Sequence, residues 1–280
     1  MIIAETVADV RKQVAEWRSE GLTVGLCPTM GALHEGHVSL AKHSAEQCDR
    51  TVASIFVNPT QFAPGEDLDK YPRTFDHDVE LLEANGCDMI FYPSVAEMYP
   101  EGFGAEIQIT TDMIHQLCGA SRPGHFKGVC TVVGKLFNIV TPDKAFFGEK
   151  DAQQLAIIRK MVRDLNFPLE IVGCPTVREE DGLAMSSRNA YLSEEERKDA
   201  TVIYRAICSA KESIAAGVTD ADELEGEMRR IIEVSPLAKI DYVDIVDGLS
   251  LQPVEKVKRG DLVAMAVYFG STRLIDNFTV

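Results

Sequence analysis

Positive charge is scarce in this chain. Lys and Arg number 28 against 44 Asp and Glu, a net charge of −16 over 280 residues. Such a balance makes a poor partner for nucleic acid, and an anionic substrate would have to be met by a local cluster of cations. Paired cysteines are missing as well. The seven cysteines (27, 48, 87, 118, 130, 174 and 208) form no CxxC, which argues against a disulfide framework and for reduced thiols in a cytoplasmic protein. No run of eighteen apolar residues occurs, so no membrane span is expected. The N-terminus, MIIAETVADVRKQVAEW, carries acids early and lacks the apolar core of a cleavable signal. Repeats and low-complexity tracts are also absent. What remains, 45% hydrophobic and 26% charged residues, is ordinary for a globular chain able to bury one large core or two modest ones.

The chain is organised around Thr23 to Ala41, TVGLCPTMGALHEGHVSLA. The apolar run Leu22 to Cys27 predicts a short buried parallel strand, which Pro28 and Gly31 then break. After Gly36, apolar Val38, Ala41 and Ala45 recur at helical spacing, with Leu40 beside them. The stretch therefore reads as strand, tight turn and helix, with His34-Glu35-Gly36-His37 at the helix entrance. A helix N-terminus offers unpaired N–H groups and a partial positive charge, which suit a phosphate. Two histidines three apart can both face that anion, and Gly36 lets it approach the backbone. An incidental HxxH pair is the plain alternative. Zinc fits poorly, because the motif is not HExxH and no cysteine pair nearby has ligand spacing.

Around this centre the pattern is α/β. Residues 5–18 predict an amphipathic packing helix with Val7, Val10, Val14 and Trp17 on one face. Thr51 to Val57 predicts a second strand and Cys87 to Tyr92 a third, with a helix over 75–85 between them; this order implies a right-handed parallel sheet. Asn58 and Gln61 stand just past the second strand, where open α/β sheets bind ligands, although an asparagine there is also ordinary turn chemistry. Glu106 to Thr110 reads as a strand. The loop Ser121 to Phe126 either holds an anion through Arg122 and His125 or is simply a turn. Val129 to Val140 predicts a helix, and Lys144 to Phe147 a strand that ends in Gly148-Glu149-Lys150-Asp151, where the helix Ala152 to Leu165 starts. Asp151 would cap that helix. Lys150 opposes the helix dipole, which a nearby phosphate would explain. Either Gln153 or Gln154 should face the crevice.

A strand over Leu169 to Val177 leads to Met185-Ser186-Ser187-Arg188, where two hydroxyls beside an arginine suit polyphosphate oxygens. The plain alternative is a capping serine pair. Ser193-Glu194-Glu195-Glu196 is a capping signal in its own right. Helices near 193–216 and 220–234 and strands at 240–246, 262–269 and 273–278 follow. The expected fold is α/β: a Rossmann-like parallel-sheet domain over residues 1–175 and a smaller α+β C-terminal lid domain over 176–280. The site would lie in the cleft between them.

Jointly, HEGH and MSSR resemble the two signatures of the HIGH/KMSKS nucleotidyltransferases. PTMGALHEGH (28–37), FVNPTQF (56–62), YPRT (71–74), RPGHFKGV (122–129), AFFGEKDAQQL (145–155) and MSSRNAYLS (185–193) sharpen this to a resemblance to the pantothenate synthetase (pantoate–β-alanine ligase) family across the whole chain. Cys27 departs from the more usual valine, and His77 lies between Asp76 and Asp78, which leaves a metal contact there unassigned.

The resemblance implies ATP-dependent condensation of (R)-pantoate with β-alanine, through a pantoyl-adenylate, to pantothenate, AMP and pyrophosphate. It implies ATP with Mg²⁺ as substrate, no tightly bound cofactor, and a homodimer. By the same resemblance, Met30, Gly31, Ala32, Leu33, His34, Glu35, Gly36 and His37 form the ATP loop, with His37 the residue usually given as proton donor. Gly148, Glu149, Lys150 and Asp151 hold ribose and phosphate. The Val177 backbone receives adenine, and Met185, Ser186, Ser187 and Arg188 close on the triphosphate. Gln61 and Gln154 hold pantoate, with Asn58 beside them. Charge building on oxygens in flight would be met by His34, His37, Lys150 and Arg188. Three other readings stand beside this one. They are a nucleotidyltransferase of the same superfamily, an aminoacyl-tRNA synthetase fragment disfavoured by the missing basic patch, and a nucleotide-sensing protein without catalysis.

Overall fold

The computed structural model describes residues 1–280. The chain opens with β1 (Ile2–Ala4), α1 (Val7–Ser19), β2 (Val24–Thr29), α2 (Glu35–Gln47), β3 (Arg50–Ile55), α3 (Phe75–Ala84) and β4 (Met89–Phe91). Two short helices follow, α4 (Val95–Met98) and α5 (Leu117–Ser121), and then α6 (His125–Val140), β5 (Lys144–Gly148), α7 (Ala152–Asp164) and β6 (Glu170–Cys174). The remainder is α8 (Glu194–Asp199), α9 (Val202–Ala215), α10 (Ala221–Ile232), β7 (Ala238–Val246), β8 (Leu262–Phe269) and β9 (Thr272–Thr279). The chain forms two compact units. One comprises Met1–Thr110, Arg122–Glu149 and Ile157–Pro175; the other comprises Thr111–Ser121, Lys150–Ala156 and Thr176–Val280.

The first unit is built on a six-stranded sheet in the order β1-β4-β3-β2-β5-β6, every pair parallel. The α/β expectation therefore holds. From β2 the chain winds outward to β3 and β4, while β5 and β6 lie on the other side, so the strand order switches between β2 and β5. That switch is where such sheets bind ligands, beyond the carboxyl ends of the strands. The β2–β5 ladder covers only Gly25–Lys144 and Leu26–Ala145, leaving the carboxyl ends of both strands unpaired there. Cys27, Leu40, Ala41, Ala53, Ile55, Leu82, Ile90 and Phe146 belong to one apolar cluster that joins the sheet to α2 and α3. At roughly 1.5–3 kcal/mol for each fully buried large side chain, this cluster is a main source of the unit's stability. Helix and sheet approach closely, since a Cβ on Gly25 would lie 2.1 Å from Ser44 Oγ.

Several local expectations change. Pro28 does not end β2, which runs on to Thr29. A proline is tolerated because the β5 ladder has already stopped before it, so no partner there needs its missing N–H. The edge strand β1 has too few residues for a periodic signal. No strand forms over 106–110; there the Ile107 N–H donates to Thr131 Oγ1 at 3.0 Å instead of to a ladder. Helix α6 starts at His125 and is buried over most of its length.

In the second unit β7, β8 and β9 form an antiparallel sheet, with a bulge between Ile240 and Tyr242. Ile203, Ala206 and Ile207 of α9 and Leu224 and Met228 of α10 share one core with Val243, Val263, Met265 and Val267 of the sheet. Residues 193–216 are two helices, not one. Thr201 Oγ1 donates back to the Lys198 carbonyl at 2.8 Å between them, a bond that competes with the helical ladder. The Ser193–Glu196 capping box forms as expected.

Candidate active site

In the first unit the turn after β2 carries the chain from Thr29 to α2 through left-handed backbone at Gly31 (φ +80) and Ala32 (φ +50). A Cβ on Gly31 would stand 3.0 Å from both Asp78 Oδ2 and Ile55 Cγ2. Asp78 is 1% exposed and fixes this turn. Its Oδ2 accepts from Ala32 N–H and its Oδ1 from Leu33 N–H, both at 2.9 Å, and Thr74 Oγ1 donates to Oδ1 at 3.0 Å. Three donors compensate the buried carboxylate.

His34 is the N-cap of α2. Its Nδ1 accepts from Gly36 N–H at 3.1 Å, and His37 Nδ1 accepts from His34 N–H at 3.4 Å, with ring centroids 4.1 Å apart. The helix-entrance amides of residues 34 and 36 are therefore spent on imidazole nitrogens. With Nδ1 an acceptor, each neutral ring carries its proton on Nε2. The two imidazoles and the helix-entrance amides thus form one bonded cap, where the sequence suggests both kinds of donor side by side. Gly36 is required because the His34 ring folds over it, and a Cβ there would fall 2.8 Å from His34 Cε1. Glu35, exposed in the first turn, suits the dipole.

The turn after β3 is a second node. Asn58 is 1% exposed. Its Oδ1 accepts from Tyr99 Oη at 2.8 Å and from Thr60 Oγ1 at 3.0 Å, and its Nδ2 donates to Gln61 Oε1 at 3.0 Å and to the Gly128 carbonyl at 3.3 Å. Gln61 Nε2 in turn donates to Met30 Sδ at 3.2 Å. Asn58 thus aims Gln61, and Gln61 reaches the ATP-loop candidate Met30. Arg122 and His125 do not present an open anion site. Arg122 grips Glu66 with two bonds of 2.7 Å, and its Nη1 donates to His125 Nε2 at 3.0 Å. His125 Nδ1–H then donates to the Gln61 carbonyl at 2.8 Å. Burial would raise the Glu66 carboxyl, but the Arg122 fork prevails and holds it below the usual range. A cavity of about 380 Å³ flanks this region, lined by Met30, Gly31, Phe56, Arg73, Asp78 and Tyr92 among others. Gly148 ends β5 in the same unit, and Glu149 follows it.

In the second unit Lys150 lies in a 3₁₀ turn, Glu149–Asp151, that runs into α7. Asp151 belongs to this turn and lies 3.7 Å from Lys150 Nζ. The Lys150 carbonyl accepts from Asn277 Nδ2 at 2.7 Å. Gln153 is buried and donates to the Met113 and Gln116 carbonyls, so it is a structural residue. Gln154 beside it is half-buried. Residues 177–189 make a small hairpin and turn. Met185 N–H donates to the Val177 carbonyl at 3.0 Å, and Arg178 bridges Ala184. Ser186 caps the 3₁₀ turn Ser187–Tyr191 by accepting from Arg188 N–H at 3.3 Å. The capping role considered for the serines is thus real for Ser186, whose hydroxyl proton can still be donated.

Burial raises the thiols of Cys27, Cys48, Cys87, Cys130 and Cys174 and disfavours their nucleophilic thiolate forms. Burial pushes Cys87 and Cys130 up to about 12 and Cys174 up to about 11. No group of three or more His, Cys, Asp or Glu side chains gathers in a way that could hold a metal. Sequence reasoning missed Asp78 as the clamp of the loop and Asn277 as the partner of Lys150. An acid in the first turn of an expected helix was the only trace of Asp78 in the sequence.

Comparison with known proteins bears on this geometry. The family model described as pantoate-beta-alanine ligase matches residues 2–279. A pantothenate synthetase of Enterococcus faecalis is 54% identical over 279 residues, covering 100% of this chain and 99% of that protein. One from Clostridium botulinum is 51% identical with the same coverage. A crystal structure of pantothenate synthetase from Thermus thermophilus superposes with a TM-score of 0.95 at 46% identity, covering 100% and 99% of the two chains. The pantoate-beta-alanine ligase of Francisella tularensis, complexed with beta-gamma ATP and beta-alanine, gives a TM-score of 0.81 at 35% identity, covering 100% and 97%.

Proposed function

This chain belongs to the pantoate-beta-alanine ligase family and is an amide-forming ligase, and we propose that it joins (R)-pantoate to β-alanine through a pantoyl-adenylate. The observation that carries the reading is the His34–His37 cap on α2, in a chain that matches the family along its length. In the first step the pantoate carboxylate attacks the α-phosphorus of ATP and pyrophosphate leaves. In the second the β-alanine amine attacks the acyl carbon and AMP leaves. Neither step needs a covalent bond to the protein, in keeping with thiols held neutral by burial.

The residues divide the work by their chemistry. His34 and His37 donate from Nε2 to phosphate oxygens, with the donors strengthened by the helix amides bound at Nδ1. Lys150 and Arg188 supply full positive charge as negative charge builds on the departing pyrophosphate. Ser186 and Ser187 donate hydroxyl protons to the triphosphate, and the Val177 backbone meets adenine. Gly148, Glu149 and Asp151 bind near the ribose. Gln61, aimed by Asn58, and Gln154 bind pantoate through its hydroxyls and carboxylate; neutral amides select a hydroxyl acid better than apolar contact does. Mg²⁺ enters with the triphosphate as part of the substrate. The reading takes residues 1–175 as the nucleotide-binding domain and 176–280 as the smaller domain. It places the enzyme in the cytoplasm as a homodimer. Seven free cysteines suit a reducing compartment, and no helix is long and apolar enough to cross a membrane. The homodimer rests on family membership alone.

The test is a product assay with ATP, Mg²⁺ and pantoate, with and without β-alanine. AMP release that requires both acids, matched by pantothenate, is expected. Pyrophosphate release that continues with no amide formed would point to a nucleotidyltransferase acting on another acceptor.

A further inference from the structure

Two adjacent residues of β9, Asp276 and Asn277, are 2% and 8% exposed, and each holds a different element of the second unit. Successive strand residues point to opposite sides, so one strand can grip two elements at once. Asp276 takes Arg178 in a two-pronged pair, Oδ2 to Nη1 at 2.6 Å and Oδ1 to Nη2 at 2.9 Å. Its Oδ1 also accepts from Asn277 N–H at 2.8 Å. Arg178 carries the grip into the hairpin through Nη1 to the Gly182 carbonyl at 3.0 Å, and its guanidinium stacks 4.8 Å over Tyr204. From there Asn189 ties the two ends of the segment together, donating to Glu179 Oε1 and to the Ala184 carbonyl, both at 3.2 Å. The stretch that contains Met185 to Arg188 is thereby fixed to Asp276. Asn277 Nδ2 meanwhile donates to the Lys150 carbonyl at 2.7 Å. Strand β9 needs neither side chain for its own pairing, because its ladder to β8 runs unbroken from Leu262–Thr279 to Phe269–Thr272.

We propose that Asn277 and Asp276 are positioning residues for adenylation, Asn277 setting the backbone of Lys150 and Asp276, through Arg178, setting the segment that bears Arg188. Strand β9 keeps the two cations in register with one another. The proposal rests on the reading that Lys150 and Arg188 act on the triphosphate. Charge stabilisation depends steeply on placement, and a displacement of about 1 Å can cost about 100-fold.

The experiment is pantoate-dependent exchange of labelled pyrophosphate into ATP with the full chain. It compares Asn277→Ala and Asn277→Ser, each alone and combined with Lys150→Ala. Loss of the amide donor should lower the exchange kcat by about 10- to 100-fold, with the pantoate KM within about twofold and the Tm within a few degrees. In the Lys150→Ala background the same substitutions should cost nothing more, because they act through Lys150. Arg178→Lys keeps the charge but loses the fork, and should raise the KM for ATP about 5- to 20-fold. Folded Asn277 variants that exchange like wild type would overturn the proposal, as would an equal loss with and without Lys150. Full exchange by Lys150→Ala alone would remove the reading beneath it, a separate and recognisable result.

Discussion

In the first unit the histidine loop is held by its own cap and by one acid 46 residues away, whereas in the second unit the Lys150 turn and the Met185–Arg188 segment are held by a strand far along the chain. His34 and His37 cap the helix they begin, and the most distant clamp, Asp78, lies 46 residues from Ala32. Lys150 is held by Asn277, 127 residues away, and Arg178 by Asp276, 98 residues away. The difference predicts two kinds of damage. Variants of the first loop should disturb stability and activity together, because the same bonds serve both. Variants of the distant anchors should disturb rate while leaving the fold in place.

Lys150→Ala and His37→Ala should show the largest effects, each lowering pantoate-dependent adenylation by about 100- to 1000-fold. Circular dichroism and melting should report an intact fold for Lys150→Ala and a slightly weakened one for His37→Ala, which loses a cap. Wild-type turnover in either folded variant would end the assignment of charge stabilisation.

Asp78→Ala removes the carboxylate that the Ala32 and Leu33 amides donate to and should cost about 2–4 kcal/mol in denaturant unfolding. Adenylation should fall with it. A variant that kept full stability but lost activity would place Asp78 in the chemistry and break the contrast between the units. Gly36→Ala forces the His34 ring off its nitrogen–amide bond and should cost about 1 kcal/mol, with a larger proportional loss in exchange rate.

The smallest effect is a pH dependence. The Glu66 carboxyl is lower in the folded chain than in the unfolded one, since the Arg122 fork outweighs burial. Its contribution is fully present above the ordinary carboxylate range and is lost as pH falls through the lowered folded value. Glu66→Gln should therefore flatten the acid limb of the stability profile by about 0.5–1.5 kcal/mol. An acid limb identical to wild type would mean the pair contributes nothing.

What could be read from the sequence divides along the same line. The strand–turn–helix around HEGH is local, and its apolar period and glycines are visible in a short stretch. Asp78 reads as an acid near an unassigned metal contact, because its real partners are backbone amides that only the folded turn brings to it. Arg122 and His125 read as either anion binders or a plain turn, and the first reading falls once Glu66, from a loop 56 residues earlier, is seen to occupy the guanidinium. The segment 106–110 has the composition of a strand but packs where no neighbouring strand exists. Asn277 is hidden inside a correctly expected strand, since period-two alternation says which face a residue takes and nothing of what it holds.

Formation of a pantoyl-adenylate requires a pantoate oxygen to attack the α-phosphorus of ATP. Pantoate labelled with ¹⁸O in its carboxylate tests it directly, with mass spectrometry of the nucleotide and phosphate products after one turnover with β-alanine. One labelled oxygen is expected in AMP and none in inorganic phosphate or pyrophosphate. Label in phosphate or pyrophosphate, with AMP unlabelled, would contradict it.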